Sequence, residues 1–210
     1  MHRLSAQETL GDAQPLKAQG ISSSDDALED SRLMEQISEA RDEQSFLDFM
    51  MRYHKRLFAT CYRMLGSRDE AEEALQESFL KVWTYAERWS SDKARVSTWV
   101  YTITMNTCRD ILRKRKGVFV EHQEDDGYGG DNSADGVACI EEQDHAVKVK
   151  AAIDALPERQ KKALILSYYQ GLTHHEIGDI MGVSAKSVEG LVARARQDLK
   201  KRLSFMQGEL

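Results

Sequence analysis

The chain has 210 residues, of which 41% are apolar and 30% charged, and its formal net charge is −6. No apolar run exceeds four residues, as at Ala163–Leu166, against about 20 for a membrane span, and Met1–Gly20 lacks the apolar segment of a secretory signal, so a cytoplasmic chain is expected. Cys61, Cys108 and Cys139 form an odd set without CxxC spacing, which argues against a disulfide framework and a cysteine zinc site; two prolines and no sustained apolar–polar alternation point away from an all-β fold, and with the helical patterns that follow the expected class is all-α.

The charge is divided along the chain. Residues 1–44 carry −6, residues 45–120 carry +5, residues 121–144 carry −9 and residues 145–210 carry +4. The acidic start, with Ser22-Ser23-Ser24-Asp25-Asp26, predicts a disordered extension over 1–32. A first helical unit is expected over 33–116. Phe46, Leu47, Phe49, Met50, Tyr53, Leu57, Phe58, Cys61, Tyr62 and Leu65 recur at helical spacing, and Gly66 is a stop signal. Ser67 and Glu70 have the spacing of a capping box. The helix they open runs to about Tyr85 and is expected to bury Ala71, Ala74, Leu75, Phe79, Val82 and Trp83. Its other face carries Asp69, Glu72, Glu73, Gln76 and Glu77, either a solvated face or a docking face for a basic helix.

After a loop from Arg88 to Val96, a third helix starts at Ser97 or Thr98 with Val100, Ile103, Thr107 and Ile111 inward, joined by Thr104 and Cys108. Trp99, Tyr101, Met105, Asn106 and Arg109 are expected on exposed flanks, and Arg113-Lys114-Arg115-Lys116 closes the helix. Cations at a helix C-terminus are favoured by its dipole, which accounts for the run without function. Aromatic rings beside an amide and a basic run also suit single-stranded DNA, through stacking, edge recognition and phosphate contact. Trp99 and Tyr101 are equally compatible with the core. Residues 117–144, acidic and Gly-rich, read as a flexible linker.

The second unit, 145–206, holds the most specific pattern. Pro157 is placed to open a helix with Leu164, Ile165, Tyr168 and Tyr169 on its apolar face, closed by Gly171. Thr173 and Glu176 form a second capping box, flanked by Leu172 and Ile177 as a hydrophobic staple. A short helix to Met181, the turn Gly182-Val183-Ser184 and a last helix from Ala185 to about Leu203 make a helix-turn-helix. Ser184, Lys186, Ser187, Glu189 and Gly190 then face base edges, and Arg194 and Arg196 reach phosphates. His174-His175-Glu176 lacks the H-E-x-x-H spacing of a metal site. No catalytic constellation is visible, so neither enzyme activity nor a cofactor or metal is expected.

The order of these parts resembles the bacterial sigma-70 family, in particular its extracytoplasmic-function (ECF) type. The resemblance rests on Asp69 to Trp83 and Ser97 to Asn106, similar to regions 2.2 to 2.4, and on Ala155 to Gln160 and Gly171 to Arg196, similar to region 4. It implies two small helical domains, region 2 and region 4, and a non-catalytic subunit that binds core RNA polymerase and promoter DNA. The face of Asp69, Glu72, Glu73, Gln76 and Glu77 would dock on the β′ clamp helices. Arg95 in the preceding loop, with Trp99, Tyr101, Asn106, Arg109, Arg113, Lys114, Arg115 and Lys116, would hold the −10 element. Ser184, Lys186, Ser187, Glu189, Gly190, Arg194 and Arg196 would hold the −35 element, while other parts of region 4 touch the β flap. An anti-sigma factor is a further implied partner. Gly178 stands where the family usually has Ala. Glu189-Gly190 replaces the common basic-plus-Ser pair, pointing to an atypical −35 sequence or to contacts mainly through Lys186 and Arg194. Those departures and the net acidity also admit a sigma-like decoy that titrates an anti-sigma factor without binding DNA.

Overall fold

The computed structural model describes residues 24–121 and 140–207, and these are helical with no strand among them. Helix α1 (Ser24–Ala40) corrects the expectation of disorder over 1–32, at least from Ser24 onward; residues 1–23 lie outside the described residues. Its acidic composition masks a narrow inner face of Leu33, Met34 and Ile37, all buried. Asp30 also points inward. It accepts hydrogen bonds from the Tyr53 hydroxyl (2.5 Å) and from Arg52 Nε (2.9 Å), so a buried carboxylate locks α1 to α2.

Helix α2 (Glu43–Leu65) starts at Asp42, whose carboxylate accepts the Ser45 amide, and ends at Gly66, in the left-handed region at φ 79°. Only a residue without Cβ takes that conformation at little cost. Helix α3 (Arg68–Tyr85) starts at Ser67, whose hydroxyl accepts the Glu70 amide, but only half of the expected capping box forms. The Glu70 carboxylate turns instead toward Arg115, 3.8 Å away. Trp83, expected inside, is only half-buried. Helix α4 (Val96–Glu121) continues past the basic run.

Helix α5 (Ile140–Asp154) and the last turn of α4 take up both ends of the stretch expected to be a linker. Its middle lies outside the described residues. Helix α6 (Glu158–Leu164) follows Pro157 and widens into a π-helical turn, Ile165–Tyr169. That extra width rotates Tyr168 outward, where it is 48% exposed, against the expectation of an apolar face including it. Helix α7 (His174–Met181) has the complete capping box: the Thr173 hydroxyl accepts the Glu176 amide, and Glu176 accepts the Thr173 amide at 2.9 Å. Leu172 and Ile177 are both buried, as a staple requires. Gly182 (φ 65°) turns the chain into helix α8 (Ala185–Gln207).

Gly178 has a reason that helix propensity misses. A Cβ built on it would lie 2.7 Å from the Val183 carbonyl oxygen, a backbone atom of the turn. The turn passes too close for any side chain. Ala is worth about 1 kcal/mol more than Gly in a free helix, yet Gly178→Ala is expected to lower stability by about 1–2 kcal/mol, because the turn must open to admit the methyl. A urea unfolding curve of the variant checks this; a rise in stability would show that the turn yields freely.

The two units pack against each other and share one apolar core, in which Val100, Tyr101 and Met105 of α4 join Leu166, Leu172, Ile177 and Ile180 of the second unit. Helix α7 lies on α4. Polar contacts stitch the seam. Tyr101 donates to Gln170 Oε1 at 2.7 Å, and Gln170 Nε2 donates to Thr60 Oγ1 at 2.9 Å. Arg95 pairs with Glu176 at 3.3 Å. The Arg63 guanidinium lies 3.9 Å from the Tyr169 ring centroid.

Candidate nucleic-acid and polymerase interface

Helix α4 carries the residues expected at the −10 element, and the structure sorts them into two groups. Arg109, Arg113, Lys114 and Arg115 are exposed along its C-terminal half. Arg113 reaches Asp110 at 3.5 Å and Arg115 reaches Glu70, both weak surface pairs that phosphate can displace. The side chain of Lys116 lies outside the described residues. Trp99 and Asn106 are half-buried.

Tyr101 and Met105 correct the expectation of exposed flanks: both are buried, Tyr101 completely. The reason is tertiary. The α4 face that a three-helix unit would leave open is covered by α7 and the π-helical turn. Burial pushes the Tyr101 phenol well above its ordinary range, so it remains a neutral donor. The loop before α4 is pinned by Trp89, whose indole nitrogen donates to the Ala94 carbonyl at 3.0 Å. Sequence reasoning missed that anchor, although a tryptophan in a polar loop was its signal. Arg95, exposed beside it, faces Glu176.

Cys61 and Cys108 are buried side by side between α2 and α4. The hydrogen bond with Cys108, then burial, pushes the Cys61 thiol far above the ordinary range, which keeps it protonated and unreactive. Lys162 of α6 faces this part of α4. Burial, then the charge of Arg109, lowers its pKa to about 8, against smaller opposing effects of Cys108 and Glu158. A lysine held below its ordinary 10.5 favours neutrality in the packed state. Its penalty is therefore complete below about pH 8 and relieved as pH rises toward 10.5. Thermal melts across that window should show the wild type gaining stability relative to Lys162→Met as pH rises; parallel profiles would refute the coupling.

In the second unit, Ser184, Lys186, Ser187, Glu189, Arg194 and Arg196 are exposed, and Gly190 is half-buried. The Ser184 hydroxyl accepts the Ser187 amide at 3.2 Å and so also caps α8, and it lies 2.9 Å from the Ser187 hydroxyl. Val188 and Val192 hold the opposite side of the helix in the core. A Cβ on Gly190 would touch only the Arg194 guanidinium, at 3.5 Å, so nothing inside the protein demands glycine there. It leaves the backbone of α8 bare on its open face.

On α3, Asp69, Glu72, Glu73 and Gln76 are exposed and Glu77 is half-buried. Glu72 pairs with Arg68 at 3.1 Å and Glu77 with Lys81 at 2.7 Å. Beside them runs a groove of about 720 Å³ between α2 and α3, lined by Leu47, Met51, His54, Leu75, Glu72 and Gln76 among others. Leu47 and Met51 are 48% and 72% exposed. The sequence reading counted Leu47 among the apolar residues recurring at helical spacing and passed over Met51; an apolar stripe wider than one helix face needs was the available signal.

Two helical units, one of them built on a helix-turn-helix with an open recognition helix, define a two-part helical protein of the kind that regulates transcription. Residues 49–118 match sigma-70 region 2, and residues 146–199 match sigma-70 region 4. The chain belongs to the sigma-70 family, in its ECF group. It is 29% identical over 170 residues to the ECF RNA polymerase sigma factor SigW of Bacillus subtilis, covering 77% of this chain and 90% of that protein. It is 27% identical over 172 residues to the ECF RNA polymerase sigma factor RpoE of Cereibacter sphaeroides, covering 82% and 93%. Its fold is similar to that of CnrH, solved with the cytosolic domain of CnrY, at a TM-score of 0.64 and 18% identity over 87% of this chain and 99% of that one. It is also similar to the sigma factor RpoE solved with the anti-sigma factor NepR from Bartonella quintana, at 0.63 and 20% over 77% and 98%. No described helix is long and apolar enough to cross a membrane.

Proposed function

We infer that the chain is an ECF-type sigma factor, which binds core RNA polymerase and directs promoter-specific initiation at −10 and −35 elements. The observation that carries this reading is the ordered match of both regions on one chain, with a complete helix-turn-helix in the second. A sigma-like decoy is the weaker reading. It would gain from a blocked recognition helix, and the outer face of α8 is exposed. In this reading residues 33–116 hold core polymerase and the −10 element, residues 145–206 hold the −35 element, and residues 117–144 connect them. The acidic face of α3 and the neighbouring apolar groove take the β′ clamp helices. Trp99, Asn106 and the cations of α4 take unstacked −10 bases and their phosphates, joined by Tyr101 and Arg95 once these are freed from the seam. The exposed residues of α8 read the −35 major groove. The role is that of a non-catalytic cytoplasmic subunit, regulated by an anti-sigma partner of the kind seen with the similar structures.

Adding the purified chain to core polymerase with a promoter library tests this. Specific run-off transcripts are expected. Binding to core without any start-site selection, or no binding to core, would overturn the reading.

A further inference from the structure

Helix α8 carries a carboxylate that nothing inside the protein uses. Glu189 is exposed, and among the described residues it makes no hydrogen bond or ion pair. A helix offers partners three and four residues away. Lys186 stands at the first of these places and forms no pair with it, and Ala185 and Ala193 at the others have no charge to offer. The helix dipole does not call for Glu189 either. It favours anions in the first turn, where the Ser184 hydroxyl already accepts the Ser187 amide.

The setting of Glu189 is the open side of α8. Val188, Val192 and Ala195 are buried, so Lys186, Gly190 and Ala193 lie on the opposite side of the helix. Glu189 and Arg196 edge that side on one flank, Ser187 and Arg194 on the other. The centre is low. Gly190 has no Cβ, and one built there would meet nothing but the Arg194 guanidinium, at 3.5 Å. Glycine weakens a helix interior, and the packing of the protein gives no reason to keep it at this position. A bare centre lets the helix approach a base edge closely. Glutamate, shorter than arginine, needs that approach to touch one.

An anion among phosphate-binding cations weakens binding to every duplex alike, unless a donor in the groove answers it. In the major groove the base donors are cytosine N4 and adenine N6. Adenine sets its N7 acceptor beside that donor, and guanine and thymine present acceptors, all of which repel a carboxylate. Cytosine is the base that a carboxylate fits.

We propose that Glu189 is a specificity-determining residue for the −35 segment: its carboxylate accepts the N4 amino group of one cytosine, and bare Gly190 lets α8 come close enough for that contact. This rests on α8 being the −35 reading helix, as inferred above.

The test uses holoenzyme assembled from core polymerase and the full chain, as wild type, Glu189→Gln, Glu189→Ala and Gly190→Leu. Run-off transcription from a barcoded promoter library randomised across the −35 segment reads the base preferred at each position. Wild type should favour cytosine about tenfold at one position. Glu189→Gln should move that same position to adenine, whose N6 and N7 suit an amide, and Glu189→Ala should leave it without preference. Gly190→Leu, which the protein has room for, should also lose the cytosine preference, because the helix is held off the base edge. Circular dichroism establishes that each variant is folded. Base preferences that stay the same in the Glu189 variants, or a uniform gain in affinity for all sequences, would overturn the proposal, as would a cytosine preference retained by Gly190→Leu. The full chain without polymerase is run in parallel against the same duplex library, scored by capture of bound DNA. Promoter-specific transcripts that ignore Glu189 reject the cytosine contact alone. Capture of cytosine-bearing duplexes through Glu189 without transcripts rejects the sigma reading alone. Selection in neither format overturns both.

Discussion

Asp30→Ala is expected to cost about 3 kcal/mol of stability, the largest loss from any single side chain discussed above. The carboxylate is buried, and it serves two donors on α2, the Tyr53 hydroxyl and Arg52 Nε. Truncation leaves the Tyr53 hydroxyl, itself buried, without its acceptor. Arg52 keeps a second contact with Asp26 at 3.2 Å, so the guanidinium is not stranded entirely. Burial, then the charge of Asp30, holds the Tyr53 phenol far above its ordinary range, which keeps it a donor at any working pH. Tyr53→Phe combined with Asp30→Asn should cost less than Asp30→Ala alone, since fewer polar groups are left unpaired. Chemical denaturation of the three chains decides the matter, and a loss below about 1 kcal/mol for Asp30→Ala would show that water reaches the site.

The second large effect concerns binding rather than folding. Glu73→Lys is expected to weaken association with core polymerase by at least about tenfold, because it sets a like charge against a basic partner helix at the centre of the acidic face. Glu73 is exposed, so the folded chain itself should change by no more than about 0.5 kcal/mol. Glu87→Lys, exposed but beyond the end of α3, is the control and should bind as wild type. Competition binding at two salt concentrations checks both, since a screened interaction narrows the difference at high salt. Equal affinities for Glu73→Lys and wild type would remove α3 from the docking surface.

Most helix boundaries were legible because their causes are local. Gly66 and Gly182 adopt left-handed conformations just past helix ends, and Thr173 with Glu176 closes a complete box, all within a few residues of sequence. The recognition helix was legible for the same reason, since Val188, Val192 and Ala195 recur at helical spacing and are buried. Helix α1 was not, because its acidic residues outnumber a slender apolar face whose partners on α2 lie some 20 residues away. The Ser67 box read as complete from spacing, yet Glu70 found a cation on α4 in place of its own cap amide.

Sequence alone determined the all-helical class, the two cationic units, the helix-turn-helix and the acidic face of α3, because each follows from short-range periodicity, capping chemistry or charge. Tertiary structure alone decided that Tyr101 and Met105 are interior, that Gly178 accommodates a passing carbonyl, and that the two units close on one another. The first and last depend on atoms brought together from distant parts of the chain, as with Tyr101 and Gln170, and the Gly178 contact, only five residues long, depends on the path the turn takes in space. An amphipathic pattern records that a face is apolar, but which neighbour covers it is settled only when the helices pack.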